Sequence, residues 1–91
     1  MKNLKPKNRL AEVMAMFMQN KKTWLSHYDF ALSLWQINSH KRIGDLKKHG
    51  INFEERMHTF ENKFGRKSQM KQFRVTTPNN ECLKVFNTIN K

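Results

Sequence analysis

Apolar residues first recur at helical spacing. Leu10, Val13, Met14, Phe17 and Met18 fall at i, i+3, i+4, i+7 and i+8, one face of a helix. Asn8 stands where a short polar side chain caps such a helix, and Ala11 and Ala15 favour it. Met16 falls off the stripe. The methionines read as core rather than as an adaptable binding surface. Gln19-Asn20-Lys21-Lys22 is polar and reads as a loop. Ser26 with Asp29 three residues on has the spacing of a capping box. It predicts a short second helix to about Leu34 that buries Phe30, Ala31 and Leu34. Trp24 and Trp35 are expected to close the core around it, stacking on a nucleic-acid base being the other role open to them. Trp35-Gln36-Ile37 then turns the chain into a third helix.

Asn38 or Ser39 can cap that third helix. Ile43 and Leu46, three apart, share its apolar face. Lys47, Lys48 and His49 crowd its last turn, where cations suit the helix dipole, and Gly50 supplies the left-handed residue that ends many helices. So short a helix with two apolar positions is unstable alone. It must be lodged against other elements with its charged side outward.

After Gly50 the period changes. Ile51, Phe53 and Glu55 alternate with Asn52 and Glu54, as in a strand. The phase slips between Met57 and Phe60, which predicts a bulge or bend, with a helix over Met57 to Phe64 as the alternative. Gly65-Arg66-Lys67-Ser68 reads as a turn. Gln69 to Thr76 reads as a second strand, with Phe73 and Val75 on one face and Arg74 on the other, completing a β-hairpin. Pro78 fits the first position of a last helix capped by Thr77. Leu83, Phe86 and Ile89 or Asn90 give it a weak stripe, with Cys82 as a small apolar filler.

Ninety-one residues suit one domain. No apolar run approaches the roughly 18 residues of a membrane span. The basic N-terminus lacks a signal-peptide cleavage site, and the single cysteine fits a reducing, cytoplasmic setting. Charge changes the picture most. Eighteen Lys and Arg against seven Asp and Glu leave a formal charge of +11, which favours an anionic partner, nucleic acid first.

The order helix, helix, basic helix, strand, strand, short helix predicts an α+β fold. Three helices followed by a basic hairpin is the plan of a winged helix-turn-helix domain. Within it, Arg42-Ile43-Gly44-Asp45-Leu46-Lys47-Lys48-His49-Gly50-Ile51-Asn52-Phe53 resembles the Arg-Ile-x-Asp-Leu-Arg/Lys-x-x-Gly-aromatic-x-Ile segment of small phage-type winged helix-turn-helix proteins. There the segment covers the recognition helix and first wing strand, and the resemblance spans roughly Asn8 to Thr76. Ser39 departs from it, standing about where those proteins often bury an aliphatic residue. The Phe53 to Arg74 wing is also long, and residues 77–91 have no counterpart. The expected organisation is a basic tail over 1–7, the winged domain over 8–76, and a C-terminal helix over 77–91 that is a candidate homodimer contact.

In such a pair the second helix enters the major groove, N-terminal residues nearest the bases. Asn38, Ser39, His40 and Lys41 are therefore the expected readers of base edges, with Gly44 or Asp45 one turn on. Arg42 faces either the DNA or an ion pair with Asp45 or Asp29. Lys21, Lys22, Lys47, Lys48, Lys63, Arg66, Lys67, Lys71 and Arg74 are candidates for the phosphate backbone, with Arg66 placed to enter the minor groove. Lys2, Lys5 and Lys7 could add sequence-blind contacts.

Chemistry of other kinds finds no footing. The four histidines, His27, His40, His49 and His58, lack the i, i+4 spacing of a helical metal site, and Cys82 has no second cysteine. Glu54 and Glu55 are adjacent, so on a strand they point to opposite faces. No enzyme, cofactor or metal is expected. The expected partner is double-stranded DNA, and the expected role is a transcription regulator or a replication or excision factor. Two rivals stand beside it: an inhibitor that docks a basic face on an acidic protein, and an RNA-binding protein.

Overall fold

The computed structural model describes residues 4–36 and 38–91; Lys2 and Ile37 lie outside them. The order is α1 (Arg9–Gln19), β1 (Leu25–Ser26), α2 (His27–Leu34), α3 (Ser39–Lys48), β2 (Phe53–Glu61), β3 (Lys67–Val75) and α4 (Asn79–Ile89). The fold is α+β, with four helices and one antiparallel sheet of order β1-β3-β2.

Local sequence sets most of the helix ends. Asn8 caps α1, its Oδ1 accepting from the Ala11 N–H at 2.8 Å. Val13, Met14, Phe17 and Met18 are buried as the stripe predicts. Ser26 and Asp29 form the capping box that starts α2. Gly50 ends α3 at φ +91°, a conformation open to glycine at little cost. Thr77 departs from its expected role. Pro78 takes the cap position of α4, and the buried Thr77 hydroxyl accepts from the Asn52 N–H instead.

One core joins all these elements. Phe17 is its centre, with ring centroids 5.1 Å from Phe30 and 4.8 Å from Phe53. Ile43 and Leu46 enter from α3, Phe73 and Val75 from β3, and Cys82 and Phe86 from α4. Burial pushes the Cys82 thiol up, and its S–H donates to the Thr77 carbonyl at 3.4 Å. The start of the chain is tied to α4: Asn8 donates to the Ile89 carbonyl, and Asn90 bonds the backbone of Lys5 and Lys7.

Two expectations about the core are overturned. Trp35 is 89% exposed, because it closes α2 in the left-handed region at φ 57° and points away from the packed layer. Trp24 is half-buried on the outer sheet face, covered by the guanidinium groups of Arg56 and Arg74 at 4.4 and 4.6 Å. Ala31 and Leu34 are half-buried, leaving Phe30 as the buried anchor of α2.

The hairpin is straight where a bulge or bend was expected. Pairing runs unbroken from Phe53↔Val75 to Glu61↔Lys67, and the helical alternative for Met57 to Phe64 is not adopted. Beyond Glu55 the ribbon leaves the core, and at about 3.4 Å per residue its six outer pairs project some 20 Å. The radius of gyration is accordingly 13.6 Å, against about 12 Å for a compact chain of this length.

Gly44 sits in the middle of α3, and an added Cβ would meet no atom within 4 Å. Gly44→Ala should therefore raise stability by up to about 1 kcal/mol through helix propensity alone. Thermal denaturation checks this; a loss of stability would show that the position is constrained.

Candidate nucleic-acid interface

Four residues, 35–38, separate α2 from α3, the spacing of a tight helix-turn-helix connection. Helical geometry divides α3 into faces. Ser39, Ile43 and Leu46 are buried inward. His40 and Lys47 turn toward the sheet: the His40 ring lies 6.2 Å from Phe73, and Lys47 reaches Glu55. Lys41, Gly44 and Lys48, at i, i+3 and i+7, form the outward stripe, with both lysines exposed. Asn38 is exposed at the helix start, without a side-chain capping bond.

Ser39 is therefore not a groove residue. It is 0% exposed, and its hydroxyl is hydrogen-bonded to His27 Nδ1. This polar pair ties the first turn of α3 to α2. The His27 ring also meets the His40 ring edge to face, so two of the scattered histidines are brought together. Among the described residues no group of three or more potential metal ligands forms.

Among the described residues His27 Nε2 is buried without a partner. Burial lowers the His27 pKa below its ordinary 6.5, and the neighbouring His40 lowers it further. Between the folded and unfolded values the unfolded chain binds the extra proton, so stability falls as pH drops below 6.5. Melting temperature should decline from pH 7.5 to 5.5, and His27→Gln should flatten that decline. An unchanged slope in the variant would assign the decline to other groups.

The hairpin meets α3 through charge. Glu55 faces inward, bonded to Lys47 at 2.8 Å and within 3.4 Å of Lys71, and the Lys47 contact holds its carboxyl below the usual range. Glu54 faces outward, paired with Arg74 at 2.6 Å. The two glutamates do point to opposite faces. They also spend three cations expected on the DNA backbone: Lys47, Lys71 and Arg74 are engaged within the protein. Lys21 is likewise engaged, donating to the Thr77 carbonyl at 2.6 Å. Lys22 is exposed but lies before β1, at the end of the sheet away from the tip. Arg42 makes neither expected ion pair; among the described residues it has no acidic partner.

The tip keeps its charge free. Asn62 orders it: its side chain accepts from the N–H groups of Phe64 and Arg66 at 2.9 and 3.0 Å, and Gly65 supplies the φ of +82°. Lys63, Arg66 and Lys67 are exposed there, and no described acid pairs with them. Sequence reasoning missed the Glu54 and Glu55 clamps, β1 and the exposure of Trp35. Cross-strand register was the signal for the first, since it places Glu54 opposite Arg74.

Comparison with protein-family models, curated proteins and solved structures finds no match to the chain.

Proposed function

We propose that the chain is a winged helix-turn-helix protein that binds duplex DNA sequence-specifically. α3 enters the major groove, reading bases through Asn38 and Lys41; His40, expected among the readers, is turned to the sheet against His27 and Phe73. The hairpin acts as the wing, laying Lys63, Arg66 and Lys67 on the backbone or minor groove. The observation that carries the reading is the distribution of unpaired charge. The lodged helix shows a free Lys41–Gly44–Lys48 stripe, and the projecting hairpin shows a tip whose Lys63, Arg66 and Lys67 form no ion pair among the described residues, although Glu61 stands opposite Lys67, while the cations between them are internally paired. In this reading the Lys47–Glu55–Lys71 bridge sets the angle between helix and wing. A regulator of transcription, or an accessory factor in replication or excision, uses such contacts.

Selection of bound duplexes from a random pool at fixed salt tests the proposal. An enriched motif is expected. Lys41→Ala should relax the preference at one position by about 1–3 kcal/mol, while Lys67→Ala weakens all duplexes alike. Absence of enrichment, with equal binding by all variants, would favour the protein-docking rival; stronger competition by structured RNA would favour the RNA-binding one.

A further inference from the structure

Trp35 serves neither the core nor the proposed duplex contact. It is 89% exposed and is the non-glycine residue held at positive φ among the described residues. Such backbone conformations in bulky residues cluster at binding sites. Beside it a cleft of about 150 Å³ is lined by Arg9, Trp35, Gln36, Asn38 and Arg42. An open groove of about 420 Å³, also lined by Arg9 and Arg42, runs past Leu10 and Ile89. Two arginines thus border both spaces, and among the described residues neither has an acidic partner.

The walls are fixed from within. Gln36 is 5% exposed, and its Nε2 donates to the Arg9 carbonyl at 3.1 Å and to Glu12 Oε1 at 3.0 Å. The turn is therefore fastened to the start of α1, and the Glu12 carboxylate is engaged by the Gln36 amide. What remains is an indole in solvent next to two unpaired guanidinium groups.

We propose that this cleft binds a nucleoside phosphate whose base is unpaired. Arg9 and Arg42 take the phosphate through their planar donor forks, and the base stacks on the Trp35 indole. Bases inside a duplex are already stacked, so the ligand is a free nucleotide or one nucleotide of a single strand. The site goes beyond the duplex reading and does not rest on it: Arg42 lies on the side of α3 that meets α1, whereas the proposed duplex stripe is Lys41, Gly44 and Lys48, and Asn38 borders both.

Intrinsic fluorescence of the full chain tests the proposal, because Trp24 is covered by Arg56 and Arg74 and Trp35 is open. Adenosine monophosphate and a short single-stranded oligoadenylate should each quench saturably. Adenosine should bind at least about tenfold more weakly, and inorganic phosphate should compete without quenching. Trp35→Phe should lose the quench, and the Arg9→Gln, Arg42→Gln double variant should weaken it at least about tenfold with an unchanged circular-dichroism spectrum. Tighter binding by the oligomer than by the mononucleotide identifies a strand as the source, and equal binding per nucleotide identifies free nucleotide. No saturable quench by either probe, or one that persists in Trp35→Phe, overturns the proposal. A chain that binds no duplex yet shows the quench loses the preceding function and keeps this one.

Discussion

Phe17→Ala should lower the stability of the domain by about 3–5 kcal/mol and its melting temperature by at least about 12 °C. Phe17 is fully buried and holds two aromatic contacts at once, to Phe30 of α2 and Phe53 of β2. Truncation removes apolar area, leaves a cavity and breaks both ring pairs. A domain of 91 residues holds about 5–15 kcal/mol in total, so the variant sits near the limit of folding. Chemical denaturation at 25 °C, with the change read from the midpoint at constant slope, measures the loss. A melting temperature within a few degrees of the parent would mean that the helices and the sheet do not share this centre.

DNA affinity should fall by about 500-fold between 50 and 200 mM monovalent salt. Among the described residues five cations stand unpaired on the proposed face: Lys41, Lys48, Lys63, Arg66 and Lys67. Each phosphate contact contributes about −0.9 to the slope of log K against log salt, so five give about −4.5. A fourfold rise in salt then costs nearly three decades. Replacing Lys63, Arg66 and Lys67 together by Gln should flatten the slope by about three, to near −2. Fluorescence anisotropy with one labelled duplex across a salt series reads both slopes. An unchanged slope in the triple variant would remove the hairpin tip from the interface and with it the proposed wing.

The parts of the fold legible in the sequence are those fixed by neighbours along the chain. Asn8, the Ser26–Asp29 pair and Gly50 each act within one helical turn, and each does what its spacing predicts. The stripe of α1 needs only one buried side to show its period. The Met57 to Phe60 slip was misread for a physical reason. That half of the ribbon has left the core, so it has no inside, and alternation has nothing to encode; Met57 and Phe60 sit on opposite faces and both are exposed. β1 is two residues paired with Phe73 and Gln72, a contact made by tertiary closure rather than by local pattern. Trp35 was expected inside because indoles usually are, but its backbone turns it out.

Of the candidate site, α3 was legible and its partners were not. Ile43 and Leu46 face inward as their spacing requires, and Lys41 and Lys48 face out. Ser39 was lost to a partner twelve residues back, His27, which no periodicity marks. Lys47, Lys71 and Arg74 were lost to glutamates whose reach depends on strand register.

The projecting ribbon has one more effect. Among the described residues the outer edge of β2 has no neighbouring strand, so its backbone donors and acceptors are open to any chain that can lie alongside. Glu54, Arg56 and Glu61 place charge along that edge and discourage such stacking. This guard is ionic, and concentrated electrolyte blunts it. Concentrated brine would thus invite the ribbons to zip edge to edge into filaments.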